Sequence, residues 1–479
     1  MIEIFAFGAV AALTLILAAI ASFLETRAIA HTAVSTLSQS DYRQPALHRR
    51  VTWVLPGLAL VALLFLVVFD GSPVAGIAAV VIFGVARFAM LQQTAVAASA
   101  SAPTRLMEAI RVPEIATATF AFHFSAPDLQ TPAHVEIWRD SLDATGQPWF
   151  VILREFHQLS AFTVAGMPPA VHIQGDSQLF GCLPETTRAV FYGNNGQTNR
   201  AMIAANPQVT HVQLLHGDSD KPPSYSPLTK NYDLIFVAGQ MGIDRYAQHG
   251  VDIPRDRFRV VGRPQVAAIR SAAPKTDGEP LEICYMPTWR GYFEDTQFSS
   301  LNRAAAVIES VRREIPNARI TFKPHPLSYK DPLWRKFEHE IRAALSGDDT
   351  FAASDASPFD LYNQADLMIT DISSVTIDFL YSGKPLLVIQ PEGFDPAGAW
   401  RYPSLAASYQ VTPDLSNLVE KLTSAAGADP MRETRSEVQH NAFGDFGRAP
   451  GEAFREACLA LLQDNADLPQ GRVKEPPHG

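Results

Sequence analysis

Four short segments of this 479-residue chain end an apolar run in polar side chains that could bind a phosphate or move a proton. The first is Leu214-Leu215-His216-Gly217-Asp218-Ser219-Asp220-Lys221, where a histidine able to act as a general base at neutral pH stands close to a cation. The second, Tyr285-Met286-Pro287-Thr288-Trp289-Arg290-Gly291, supplies a hydroxyl and an arginine, the side chain best shaped to grip a phosphate with two parallel bonds. In the third, Phe322-Lys323-Pro324-His325-Pro326, two prolines restrict the backbone around His325 and Lys323 stands beside it. The fourth runs from Asp366 to Pro385. Its strand ends at Thr370-Asp371, Ser373 is placed to cap the helix that follows, and Ser373 and Ser374 sit at its positive end. Asp378 comes one turn later, where it could face a ribose. Each segment also fits an ordinary turn with a structural histidine, a solvated arginine or a capping serine.

Together the four ends offer His216, Lys221, Arg290, Lys323, His325 and a helix start. That set suits a nucleotide diphosphate better than a metal, because no paired carboxylates or Cys/His ligand spacing accompany it. No cofactor is called for. The phosphate-cradling glycine patterns of P-loop and dinucleotide-binding proteins are missing from the sequence. Asp445-Phe446-Gly447 has neither the spacing nor the companion loops of a kinase.

Polar residues just beyond an apolar strand matter because open α/β sheets bind ligands outside the carboxyl ends of their strands. The alternation of apolar runs with helical patterns predicts such sheets. Strands are expected at 119–124, 148–153, 188–192, 210–215, 232–238 and 258–261, and, after the hydrophilic stretch near 273–280, at 281–285, 319–322, 367–370 and 386–389. Helices are expected at 135–143, 243–249, 301–315, 375–381 and 450–462, with a polar tail, 463–479, expected to be disordered. The pattern thus starts twice, predicting two facing α/β domains at 115–272 and 279–462, preceded by a linker at 98–114.

The first 97 residues differ in kind. Uncharged stretches at 4–24, 51–69 and 71–86 predict three membrane-spanning helices near 4–24, 51–69 and 72–92. Met1-Ile2-Glu3 lacks the positive start of a signal peptide, and further spans follow it. Arg27, Arg43, Arg49 and Arg50 lie between the first two spans, whereas Asp70-Gly71-Ser72-Pro73 between the next two carries no Lys or Arg. The positive-inside rule then puts the N-terminus outside and everything after about residue 93 in the cytoplasm. The whole chain has a net charge of −10 and the first 100 residues hold five basic and four acidic side chains, so the remainder is strongly acidic. Such a balance argues against a nucleic-acid partner. Three widely spaced cysteines (Cys182, Cys284, Cys458) fit a reducing compartment.

The four segments resemble motifs of the CDP-glycerol glycerophosphotransferase family, the teichoic-acid-type polymerases and primases of bacterial cell envelopes. His216-Gly217 with Lys221 resembles the family's HGT-x-x-K, Met286-Pro287-Thr288-Trp289-Arg290 its APTWR, Lys323-Pro324-His325-Pro326 its HP loop, and Thr370-Asp371-Ile372-Ser373-Ser374 its TD-x-SS. The resemblance covers roughly 115–400 and implies a GT-B fold of two Rossmann-like domains, the second binding the donor. By this resemblance His216 is the base on the acceptor side. His325, with Arg290, Ser373 and Ser374, holds the donor's phosphates, and Lys221, Thr288, Lys323, Asp371 and Asp378 complete the substrate site. Asp218-Ser219-Asp220 departs from the family's Thr-Pro-Leu and adds two carboxylates beside a site for anions.

The implied reaction is attack of a lipid-linked or glycan acceptor hydroxyl on a CDP-activated polyol such as CDP-glycerol, releasing CMP at the inner face of a bacterial plasma membrane. Two other readings fit the residues. One is a GT-B glycosyltransferase using a nucleotide sugar, and the other is a membrane-anchored scaffold that binds polymer without catalysis.

Overall fold

The computed structural model describes residues 111–129, 131–271, 279–291, 297–353, 356–444 and 449–463. The three expected membrane spans, the linker up to residue 110 and the tail from 464 lie outside these residues. Among the described residues no helix is long and apolar enough to cross a membrane.

Thirteen strands are found among them: β1 (Phe120–Phe124), β2 (Trp149–Leu153), β3 (Ala170–His172), β4 (Ala189–Tyr192), β5 (Thr210–Gln213), β6 (Leu234–Val237), β7 (Phe258–Val260), β8 (Glu282–Met286), β9 (Arg319–Phe322), β10 (Thr350–Phe351), β11 (Leu367–Thr370), β12 (Leu386–Ile389) and β13 (Tyr409–Val411). One sheet has the order β3-β2-β1-β4-β5-β6-β7 and the other β10-β9-β8-β11-β12-β13. All five pairings of the second sheet are parallel. Counted from its own first strand the second sheet reads 3-2-1-4-5-6, the doubly wound order of dinucleotide-binding folds, and the first reads the same with a seventh strand added at its end. Two such sheets in one chain make the fold α/β and GT-B-like.

The chain divides into two compact units. One gathers residues 111–135, 147–190 and 196–209; the other gathers Glu136–Gly146, Phe191–Asn195 and the described residues from Thr210 onward. In the first unit β1 and β2 are buried along their whole length. The buried His123 is tied there by its Nδ1 to Asn199 Oδ1 at 3.0 Å.

In the second unit, strand alternation builds two cores around the second sheet. Ile283 and Tyr285 join Ile320, Phe322, Leu367, Ile369, Leu387 and Ile389 in one, beneath helices Ala304–Glu314, Trp334–Ala344 and Leu418–Ala426. Cys284 and Met286 join Met368, Leu386 and Val388 in the other, against helices Ser374–Leu380 and Arg432–Phe443. A fully buried Leu or Ile contributes roughly 1.5–3 kcal/mol, so each four-residue strand anchors the loop at its end firmly. Cys182, Cys284 and Cys458 are all buried free thiols. Burial pushes Cys182 and Cys284 up to about 12 and raises Cys458 as well.

Candidate functional site

In a 3-2-1-4-5-6 sheet the crevice opens where the order reverses, here between β8 and β11. One carboxylate ties that crevice together. Asp371, fully buried just after β11, accepts from Thr288 N (2.8 Å) and Ser300 N (3.1 Å) through Oδ2. Its own carbonyl accepts from Thr376 Oγ1 at 2.8 Å. Burial is the main cause that pushes Asp371 up to about 6, against its hydrogen bonds to Ser300 and Thr288 and the charge of Lys221. Rather than reaching outward for substrate, this aspartate shapes the loops that carry Thr288 and Ser300.

Lys221 enters the same place from the segment after β5. Its Nζ donates to Thr288 Oγ1 at 2.7 Å and lies 5.7 Å from the centre of the Phe298 ring. Burial lowers it to about 8, with Asp371 opposing.

His216 and His325 belong to the same cluster of charges. The Nδ1 of His216 lies 2.8 Å from the carbonyl of Gly193. A carbonyl only accepts, so the neutral ring carries its proton on Nδ1 and its lone pair on Nε2. The ring is exposed, yet desolvation by the surrounding protein is the main cause lowering its pKa, helped by Arg263 and opposed by the Gly193 bond. With its pKa held below the ordinary imidazole value, the ring stays neutral at physiological pH. His325 shows the reverse pattern. Its Nδ1 accepts from Leu327 N at 3.1 Å, which leaves the proton on Nε2. Burial, then the charges of Lys221 and Lys323 and the nearby His216, push it down to about 3. Trp289 stacks on it with ring centres 6.2 Å apart. Lys323, at the end of β9, is buried.

Two serines follow Asp371. Ser373 takes the N-cap position in extended conformation, but its side chain makes no cap bond, contrary to the sequence expectation. Its Oγ is buried and has no hydrogen-bond partner among the described residues. The helix behind it, Ser374–Leu380, is only seven residues long, so its dipole is a lesser contributor than the sequence suggested. Gly217 is packed so closely here that an added Cβ would lie 3.1 Å from Ser374 Cβ.

Several arginine partners were not legible from the sequence. Asp378, expected to face a ribose, instead has both carboxylate oxygens on Arg263, with the Arg263 Nη2 contact at 3.1 Å. Both side chains are buried, so the pair holds the helix after β11 against the segment after β7. Asp218 and Asp220 do not confront the substrate as uncompensated charges. Arg245, fully buried, bonds Asp218 through Nη1 and Asp220 Oδ1 through Nε at 2.9 Å. Ser404 N and Oγ occupy the other oxygen of Asp220 at 2.9 and 2.5 Å. Arg290 reaches Asp331 with Nε and Nη2 at 2.6 and 3.1 Å, and its side chain keeps 40% of its surface exposed. Asp331 thereby joins the loop after β8 to the turn that begins at His325. None of these partners has a sequence spacing that would reveal it.

Directly before His216, Leu215 adopts φ 57°, a left-handed conformation that costs a leucine on the order of 1–2 kcal/mol. Two buried side chains hold it. Trp138 Nε1 donates to its carbonyl at 2.5 Å, and Gln213 Oε1 accepts from its N–H at 2.9 Å.

Residues 225–395 match the family described as CDP-glycerol:poly(glycerophosphate) glycerophosphotransferase. Over that segment the chain is similar to the CDP-glycerol glycerophosphotransferase family. The matched segment contains Thr288, Arg290, Lys323, His325, Asp371, Ser373, Ser374 and Asp378, while His216 and Lys221 precede it. A curated relative, the minor teichoic acid biosynthesis protein GgaB of Bacillus subtilis (strain 168), is 29% identical over 204 residues, which cover 38% of this chain. The chain spans about a fifth of that relative's length, 21%. Among solved structures, the wall teichoic acid polymerase TagF aligns with a TM-score of 0.48 and 12% identity over 76% of this chain and 93% of its own. A UDP-N-acetylglucosamine 2-epimerase from Listeria monocytogenes aligns with a TM-score of 0.48 and 14% identity over 72% and 95%.

Proposed function

We propose that this chain is a membrane-anchored transferase that moves glycerol phosphate, or a related polyol phosphate, from a CDP-activated donor to a lipid-linked or glycan acceptor, in synthesis of a teichoic-acid-type polymer. The observation that carries the reading is the pair of neutral histidines with opposite proton placement, set among Lys221, Thr288 and Lys323 in a chain whose residues 225–395 match the glycerophosphotransferase family.

In this mechanism the acceptor hydroxyl gives its proton to His216 Nε2 as its oxygen attacks the β-phosphorus of the CDP-polyol. The bond from that phosphorus to the bridging oxygen breaks, and CMP leaves with the electron pair. His325 Nε2–H, Lys221 and Lys323 stabilise the negative charge that gathers on the phosphates, as fixed donors in a site of low dielectric. Arg290, oriented by Asp331, and Ser373 Oγ add donors to the same phosphates. Because Arg245 compensates Asp218 and Asp220, the departure from the family motif does not repel an anionic donor.

The uncharged stretches 4–24, 51–69 and 72–92 would hold the chain in the plasma membrane, with the transferase on the cytoplasmic side where the soluble donor is made. Membranes containing the full chain are supplied with CDP-glycerol, CDP-ribitol and UDP-hexoses, and released CMP and UDP are measured. CMP release from a CDP-polyol supports the reading; UDP release alone replaces it with a sugar transferase. Resistance to carbonate extraction, with a C-terminal tag digested only from the cytoplasmic side, tests the anchoring.

A further inference from the structure

The proposed base hangs on an unusual backbone. Leu215, immediately before His216, is one of three non-glycine residues with positive φ among the described residues. A leucine does not hold that conformation unaided, and the surroundings show what holds it. Gln213, fully buried at the end of β5, uses Oε1 for Leu215 N–H at 2.9 Å, and its Nε2 donates to Asn194 O and Asn195 Oδ1, each at 2.9 Å. That amide therefore ties the Leu215 backbone to the same turn whose Gly193 carbonyl receives His216 Nδ1–H. From the other side Trp138 donates its indole N–H to Leu215 O at 2.5 Å. Trp138 is itself braced by Phe454, stacked at 5.1 Å between ring centres and fully buried on the C-terminal helix Glu452–Ala460.

We propose that Trp138 is a positioning residue for His216. Its indole N–H fixes the left-handed turn at Leu215 and so aims the imidazole that takes the acceptor's proton. The inference rests on the reading of His216 as the base. A chain of contacts from the C-terminal helix through Trp138 to Leu215 O then governs the direction of Nε2 without touching substrate. A tryptophan there purely for packing would act through its ring alone, and the ring survives in phenylalanine.

The test uses the full chain in membranes or detergent, comparing wild type with W138F, L215G and the double variant. Phenylalanine keeps a ring against Phe454 but removes the N–H, and glycine at 215 adopts positive φ without support. W138F is expected to lower kcat for CMP release from CDP-glycerol about 10- to 100-fold with KM little changed, the scale of a misplaced catalytic group. Adding L215G is expected to restore most of that loss. In ¹⁵N-histidine NMR, with H216N supplying the assignment, W138F should weaken the Nδ1–H signature of His216 and move its titration towards that of a free imidazole. If W138F is too unstable to study, L215V, which strains the same backbone with Trp138 intact, is expected to give the same kcat loss and NMR change. An unchanged His216 signal in W138F, or a slow W138F that L215G does not rescue, overturns the inference. An altered His216 signal with wild-type turnover leaves the positioning role standing and overturns His216 as the base.

Discussion

His216 and His325, neighbours in one charge cluster, hold their protons on opposite ring nitrogens: Nδ1 of His216 gives its hydrogen to Gly193 O, whereas Nδ1 of His325 accepts one from Leu327 N. One ring therefore presents a lone pair at Nε2 and the other presents a hydrogen. Two residues of identical chemistry are divided by their backbone partners into an acceptor and a donor at Nε2, which suits the proposed roles of base and phosphate ligand. Removing each should then have a different chemical signature.

His216→Ala is expected to lower kcat for CMP release by about 10² to 10⁴, the usual worth of a general base. His325→Gln, which keeps an N–H donor, should retain far more activity than His325→Ala. Steady-state rates of the four proteins with CDP-glycerol decide it, and equal losses in H325Q and H325A would remove the donor role.

Lys221 sits near 8 instead of 10.5, so its charge is lost as pH rises through about 8. KM for the CDP-polyol should climb above that pH. Lys221→Arg, which stays protonated, should abolish the climb, whereas Lys221→Met should show a high KM at every pH. A KM profile from pH 6.5 to 9.5, in roughly half-unit steps, reads all three.

Asp371 binds its proton more tightly in the folded chain, at about 6 against an ordinary 3.8. Its titration therefore favours the fold most at the acid end of that interval, and the contribution disappears as pH rises through about 6. Asp371→Asn cannot titrate. The difference in unfolding free energy, wild type minus variant, should fall between those two pH values, as measured by denaturant titration.

Arg245→Met leaves the carboxylates of Asp218 and Asp220 buried without their cation. Breaking a buried pair in this way costs about 3–5 kcal/mol, expected as a large drop in thermal midpoint. Adding D218N and D220N should recover part of it, because the uncompensated charges are then gone.

Gly217→Ala puts a methyl group 3.1 Å from Ser374 Cβ, tighter than ordinary contact. The loop carrying His216 must then shift away from the Ser373-Ser374 turn, and kcat should fall while the thermal midpoint barely moves. Ser374→Gly in the same chain makes room for the methyl group. If it recovers no activity, that close approach is not what the glycine is for.

The strands that carry the site were legible because each is an apolar run long enough to stand out. The expected 319–322, 367–370 and 386–389 coincide with β9, β11 and β12. The short edge strands β3, β10 and β13 were missed, since two or three residues such as Thr350–Phe351 carry no readable alternation. The helix expected from 301 begins as a tighter turn, Leu301–Arg303, before the α-helix Ala304–Glu314. Partner choice was the least visible property. Asp378 and Arg263 are 115 residues apart, and only the fold brings them together. Arg245 looks like any surface residue of an amphipathic helix, yet it is fully buried between two aspartates. Leu215 gave no warning of its positive φ, because asparagine or glycine is the usual signal there.

All three native thiols lie in the interior with their proton affinity raised, so the thiolate that alkylating reagents require is scarce in the folded chain. The wild-type protein thus serves as its own unreactive background. A single cysteine introduced into 25–50, or into the segment Asp70-Gly71-Ser72-Pro73, would be the one site to take up an impermeant maleimide in intact cells. Labelling at 70–73 but not at 25–50 is the outcome expected from the charge asymmetry of the two loops, and the reverse would overturn it, so this chemistry reports sidedness without rebuilding the core.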